Sequence, residues 1–124
     1  MIYLDTHAVV WLYEGDLSRF TPSGRSDMEQ HDLMISPAVC LELTFLKEIN
    51  RITVDAMAII ETLRQSINLQ ICKAPFEHVI VESIRLNWTR DPFDRLIVAQ
   101  ASISNAPLIT KDTSIRGAYE HAMW

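Results

Sequence analysis

The pattern in this chain that most restricts its fold is the alternation of short apolar runs with longer stretches of helical period. "MIYL" (1–4), "LMIS" (33–36), "LQICK" (69–73) and "PLIT" (107–110) are too short for helices and largely apolar. Strands buried on both faces have this character. Between them lie "HAVVWLYEG", "PAVCLELTFLKEI", "TVDAMAIIETLRQSI", "FEHVIVESIRLN", a run from Pro92 to about Asn105, and "SIRGAYEHA". These read as helices, with Thr6 as the cap of the first and Ser36 followed by Pro37 opening the second. Val54, Met57, Ala58, Ile60, Leu63 and Ile67 form the expected buried stripe of the third. Residues 15–32 hold two of the three glycines and many polar side chains, so a loop with one short helix is expected there. Met123 and Trp124 read as a last strand fragment. Strands joined by helices predict a three-layer α/β/α sandwich around a parallel sheet, with right-handed crossovers.

At 124 residues with 48% hydrophobic content, the chain is long enough to bury one continuous core, and one domain over residues 1–124 is expected. Cys40 and Cys72 form no C-x-x-C pair, and the histidines show no zinc-binding spacing, which argues against a disulfide scaffold or structural zinc. The N-terminus has no basic leader and meets Asp5 after a short apolar run, and no apolar stretch approaches a membrane span. A reduced, cytoplasmic protein is expected. The net charge of −5 argues against a non-specific grip on DNA, which depends on many lysines and arginines. The acidic excess is uneven: residues 1–72 hold five Lys/Arg against ten Asp/Glu, and residues 73–124 hold six of each. Were the C-terminal acids neutralised by cations, Arg90, Arg95, Lys111 and Arg116 would leave a basic rim suited to phosphate.

Four acids stand in unusual surroundings. Glu42 has Ala38, Val39, Phe45, Leu46 and Ile49 as its helical neighbours, so its carboxylate lies within an apolar stripe and needs a cationic side chain or a metal as partner. Asp5 ends the first strand, and Asp112 follows "PLIT" by two residues; each alone also suits a turn or helix cap. In "TRDPFDRLIVAQA" (89–101), Asp91 before Pro92 is an expected N-cap. Asp94 heads a stripe continued by Ile97, Val98 and Ala101, and so should face the sheet edge. Ligands of open α/β sheets collect where the carboxyl ends of strands converge. Asp5, Glu42, Asp94 and Asp112 all belong to strand ends or to helices leaving them. Four such carboxylates repel one another unless cations bind, and all-oxygen donors select hard ions, Mg²⁺ with Mn²⁺ as a substitute. Ions of this kind support phosphodiester hydrolysis without a serine, cysteine or histidine nucleophile. His7 could touch substrate, although its place at the start of an apolar helix equally suits packing or capping.

"YLDTHAVVWL", "SPAVCLELTFLKEINRI", "RDPFDRLIVAQA" and "PLITKD" resemble, in order and spacing, the PIN-domain superfamily, and especially the VapC-type toxins of bacterial toxin–antitoxin pairs. The resemblance runs from residue 2 to about Tyr119. It implies a Mg²⁺-dependent endoribonuclease with a parallel sheet of five strands, inhibited by an antitoxin protein that itself binds operator DNA. It places the acidic residues of the family on Asp5, Glu42, Asp94 and Asp112, with Asp91 as an accessory acid and Thr110 as a hydroxyl beside the site. Thr89 stands where relatives often carry histidine, and Cys40 where many carry tryptophan. Arg90, Arg95, Lys111 and Arg116 are the candidates for RNA phosphates. Two alternatives stay open: a non-catalytic PIN-like binding module and a housekeeping RNA-processing nuclease. The apolar excess over residues 37–67, including Leu43, Ile59 and Ile60, suggests an antitoxin groove or a homodimer face.

Overall fold

A computed structural model describes residues 1–124. The elements in chain order are β1 (Ile2–Leu4), α1 (Thr6–Glu14), a single 3₁₀ turn (Leu17–Arg19), α2 (Pro22–Gln30), β2 (Leu33–Ile35), α3 (Pro37–Glu48), α4 (Ala56–Ile67), β3 (Gln70–Ile71), α5 (Phe76–Ile84), α6 (Pro92–Ile103), β4 (Leu108–Ile109), α7 (Thr113–Ala118) and β5 (Ala122–Met123). All five strands are parallel in the order β3-β2-β1-β4-β5. Ile2 stands opposite Leu33, and Tyr3 is matched by both Met34 and Leu108. Helices cover the two faces to give the three-layer sandwich, with α1 against α3 and α4, and α5 against α6. Leu4, Ile35, Leu108 and Ile109 are completely buried, which is why β1, β2 and β4 read as apolar runs without alternation, whereas the edge strands β3 and β5 are only partly buried.

The chain adds β2 and β3 on one side of β1, then crosses back to place β4 and β5 on the other. The direction of growth therefore reverses between β1 and β4. At such a switch point the connections leaving the two strands run apart and open a crevice at their carboxyl ends. Asp5 directly follows β1, and Thr110 directly follows β4.

Several elements depart from expectation. The cap of α1 is Asp5, not Thr6: the Asp5 carboxylate accepts from the Thr6 N–H. The one short helix expected within residues 15–32 is found over residues 22–30, opened by Thr21 as cap with Pro22 in the first turn. Only Gly24 and Met28 of that helix are buried, so it shows no apolar stripe. Gly24 is needed for a close approach, because a Cβ there would stand 3.2 Å from the backbone carbon of Trp124. The buried face of α4 is Ala56, Ile59, Ile60 and Leu63, whereas Met57 and Ala58 face solvent. Leu43, Ile59 and Ile60 are core residues, not surface ones. The exposed apolar side chains of α3 and α4 are instead Leu41, Phe45, Met57 and Ile67, joined by Phe76, Val81 and Ile84 of α5. No helix is long and apolar enough to cross a membrane.

Candidate active site

The crevice at the switch point is a cavity of about 250 Å³ lined by Asp5, His7, Trp11, Glu42, Asp91, Asp94, Lys111 and Asp112. Five of the eight are carboxylates, delivered by four separate connections. Asp5 comes from the β1–α1 junction and Glu42 from the second turn of α3. Asp91 and Asp94 come from the start of α6, and Asp112 from the β4–α7 junction.

Hydrogen bonds hold two of these acids rigidly. Asp5 is buried; one oxygen accepts from the Thr6 N–H at 2.7 Å and the other from the Thr110 hydroxyl at 2.6 Å. Thr110 is itself fully buried, and its Oγ1 accepts from the Asp112 N–H at 3.1 Å. One hydroxyl thus joins the ends of β1 and β4 across the switch point. Glu42 accepts from the Thr6 hydroxyl. Its partner is therefore a neutral donor and not the lysine or arginine that its apolar surroundings could have required.

Asp91 and Asp112 also serve as helix caps. Asp91 accepts from the N–H groups of Phe93 and Asp94, and Asp112 from that of Ile115. A cap carboxylate complements the helix dipole, which helps explain how acids can gather here at all. Asp94 has no such partner. Burial, followed by the charges of Asp91, Asp5, Asp112 and Glu42, pushes its carboxyl up to about 7. Burial also raises Asp5, against the Thr110 and Thr6 hydrogen bonds, and raises Glu42, against the Thr6 hydroxyl. Proton uptake is one way for such a cluster to shed repulsion; cation binding is the other. As placed, no three of these groups surround a single point at metal-ligand distance. The donor chemistry still suits a hard dication, since every acid in the cavity offers carboxylate oxygen.

Of the four basic candidates, only Lys111 lines the cavity. Arg95 turns away and donates to the carbonyls of Ser83 and Ile84 at the end of α5. Arg90 donates to the Asn87 carbonyl, and Arg116 to that of Lys111. His7 is exposed at the cavity and lies 5.8 Å from the Trp11 ring. Trp11 and the Thr6 hydroxyl join the site without having been singled out by their sequence positions. The available signal was spacing: His7 and Trp11 are four apart on a helix that starts at Asp5, so they share a face.

Fold and site together define an α/β protein with an acid-lined crevice at the switch point of a parallel sheet. The chain belongs to the PIN-domain family, whose description matches residues 2–120. No curated protein sequence matches it. Its fold is shared with solved structures. A chain of VapBC2 from Rickettsia felis, bound to a DNA fragment from their promoter, superposes with a TM-score of 0.64 at 18% identity, covering 95% of this chain and 93% of that one. A chain of a toxin–antitoxin complex from Klebsiella pneumoniae gives 0.63 at 16% identity, covering 100% and 97%. A chain of VapBC-1 from nontypeable Haemophilus influenzae gives 0.59 at 20% identity, covering 100% and 96%.

Proposed function

We propose that this protein is a Mg²⁺-dependent endoribonuclease acting as the toxin of a toxin–antitoxin pair in the cytoplasm. The observation that carries the reading is the convergence of five carboxylates on one crevice of a PIN-domain chain. Asp5, Glu42 and Asp94 are the residues that would hold the cation, with Asp112 holding a second ion or its waters and Asp91 adding charge from the rim. When bound, Mg²⁺ or Mn²⁺ supplies the activation of water and the stabilisation of a leaving oxygen. The chain supplies the rest. Thr110 and the Thr6 N–H fix the Asp5 carboxylate, and the Thr6 hydroxyl fixes Glu42. Lys111 orients the phosphate from the cavity wall, while Arg90 and Arg116 meet more distant phosphates along the strand. Arg95, engaged with α5, is the weakest of the four phosphate candidates.

The likeness in fold to chains of toxin–antitoxin complexes supports one protein partner, an antitoxin. An antitoxin, itself the operator-binding component, is assigned to the groove of about 370 Å³ lined by Leu12, Leu17, Met28, Leu33 and Ile67 together with Arg25, Glu29 and His31. A second copy of the chain is assigned to the apolar surface around Leu41 and Phe76. The deciding experiment is RNA cleavage with and without Mg²⁺ or Mn²⁺ by wild type, Asp5→Asn and Asp94→Asn. Metal-dependent cleavage lost in both folded variants is the expected result; wild-type rates in those variants would sink the mechanism. Expression without a partner should arrest growth, whereas a housekeeping nuclease would leave growth unchanged.

A further inference from the structure

The crevice poses a difficulty for binding RNA. Five of its eight lining residues are acidic in a chain of net charge −5, so an approaching phosphate gains little from electrostatics beyond the bound cations and Lys111. Affinity for the strand needs a second source. Trp11 is the only apolar residue lining the cavity.

Its ring is well held. Phe20 and Trp124 meet it edge-on, at 6.3 Å and 5.4 Å between centroids, and pack on each other at 4.7 Å. The remaining neighbours are of another kind: the Arg19 guanidinium at 5.1 Å and the Lys111 ammonium at 5.8 Å over the ring, and the His7 ring tilted against it at 5.8 Å, all three on exposed side chains. A solvent-exposed cation–π contact strengthens binding only a few-fold, whereas a base stacked on an aromatic ring strengthens it about tenfold or more. A base therefore outcompetes either cation for the ring, and the displaced cations are free to meet phosphates beside it. Arg19 gives up its pairing with Asp16, an exposed ion pair of small strength.

We propose that Trp11 is a stacking platform for one unpaired base of the RNA, next to the phosphate held in the crevice. The proposal rests on the reading of the crevice as a ribonuclease site. A base inside an A-form duplex is already stacked and paired, and cannot present its face to a ring at the wall of a cleft. Stacking also tolerates any base, so the platform holds the strand without reading its sequence.

The test compares wild type, Trp11→Leu and Trp11→Phe on a short RNA strand and on that strand with a single abasic position moved along it, both with Mg²⁺. The expected result is a KM about tenfold higher for Trp11→Leu with kcat little changed, and a much smaller effect for Trp11→Phe. One abasic position should weaken wild type by a similar factor and leave Trp11→Leu no worse. If the leucine variant does not fold, the phenylalanine variant carries the test, because it keeps a ring between Phe20 and Trp124. Strand binding must then quench wild-type tryptophan fluorescence, and most of that quench must vanish in Trp11→Phe. Equal losses in wild type and Trp11→Leu at every abasic position, or an unchanged quench in Trp11→Phe, would overturn the platform alone. A wild type that leaves all RNA uncut would overturn the ribonuclease reading, and the platform with it.

Discussion

Asp94 is the carboxylate on which the repulsion of the crevice concentrates. In the unfolded chain its proton leaves near pH 4, and in the fold near 7, so between those values the folded state binds the proton more tightly. The stability gained from that proton is fully present below about pH 4 and is lost as the pH rises to about 7. Asp5 and Glu42 are raised as well and act in the same direction. The melting temperature of the metal-free protein should therefore fall between pH 5 and pH 8, and Asp94→Asn should flatten much of the fall. A wild-type profile that is level or rising over that window would contradict the origin given for the shift. Millimolar Mg²⁺ should restore stability on the alkaline side, where the carboxylates are free to bind it. Thr110 makes a separate test of how Asp5 is held. Thr110→Val keeps the volume but leaves a buried carboxylate oxygen without its donor, a loss of about 1–3 kcal/mol in urea unfolding at neutral pH. Thr110→Ser, which retains the hydroxyl, should recover most of it.

At the scale of elements, the start of α6 combines two tasks that substitutions can separate. Asp91→Asn keeps a capping oxygen for Phe93 and Asp94 but removes the charge that, after burial, most raises Asp94. It should therefore stabilise the metal-free protein at pH 8 and reduce the thermal shift produced by Mg²⁺. Asp91→Ala loses the cap too, and should be less stable than Asp91→Asn by about 1 kcal/mol. Equal melting temperatures for the two variants would mean that the cap contributes nothing. The same scale explains what the sequence could disclose. The central strands β1, β2 and β4 were legible because burial on both faces leaves them apolar, and α6 was legible because Asp91 and Pro92 announce it. The α2 helix was legible only as one short helix without bounds, since it buries almost nothing and so carries no period. In α4 the period was visible but its phase was not: Ala56 to Ile60 are all apolar, and the packing against α1 and α3 selects Ala56, Ile59 and Ile60 from them. Acids at strand ends could be picked out because a carboxylate among apolar neighbours is anomalous. An aromatic such as Trp11 in an amphipathic helix looks like core, and the partners of Arg95 lie on another helix that local spacing does not bring near.

For the whole molecule, the surface around α3, α5 and α6 carries the remaining apolar excess. Phe76 is 71% exposed and Leu41 is 63% exposed, far more than isolated surface contacts of a stable fold require. Both line one cavity of about 270 Å³ with Ala38, Val79, Phe93 and Leu96, so they form a continuous patch and not scattered residues. Patches of this kind mark interaction surfaces. A twofold interface between copies uses the same patch on each, so one substitution is felt twice. Adding an acid there places two like charges close together in a protein already at −5, and buries each without a partner. Wild type should therefore sediment as a dimer at tens of micromolar, with a melting temperature that rises with protein concentration. Phe76→Asp should sediment as a monomer whose melting temperature is independent of concentration. Because Phe76 is mostly solvated within one chain, its far-UV circular dichroism should stay that of wild type, separating loss of association from loss of fold. A wild type that remains monomeric at those concentrations would remove the second copy from this surface.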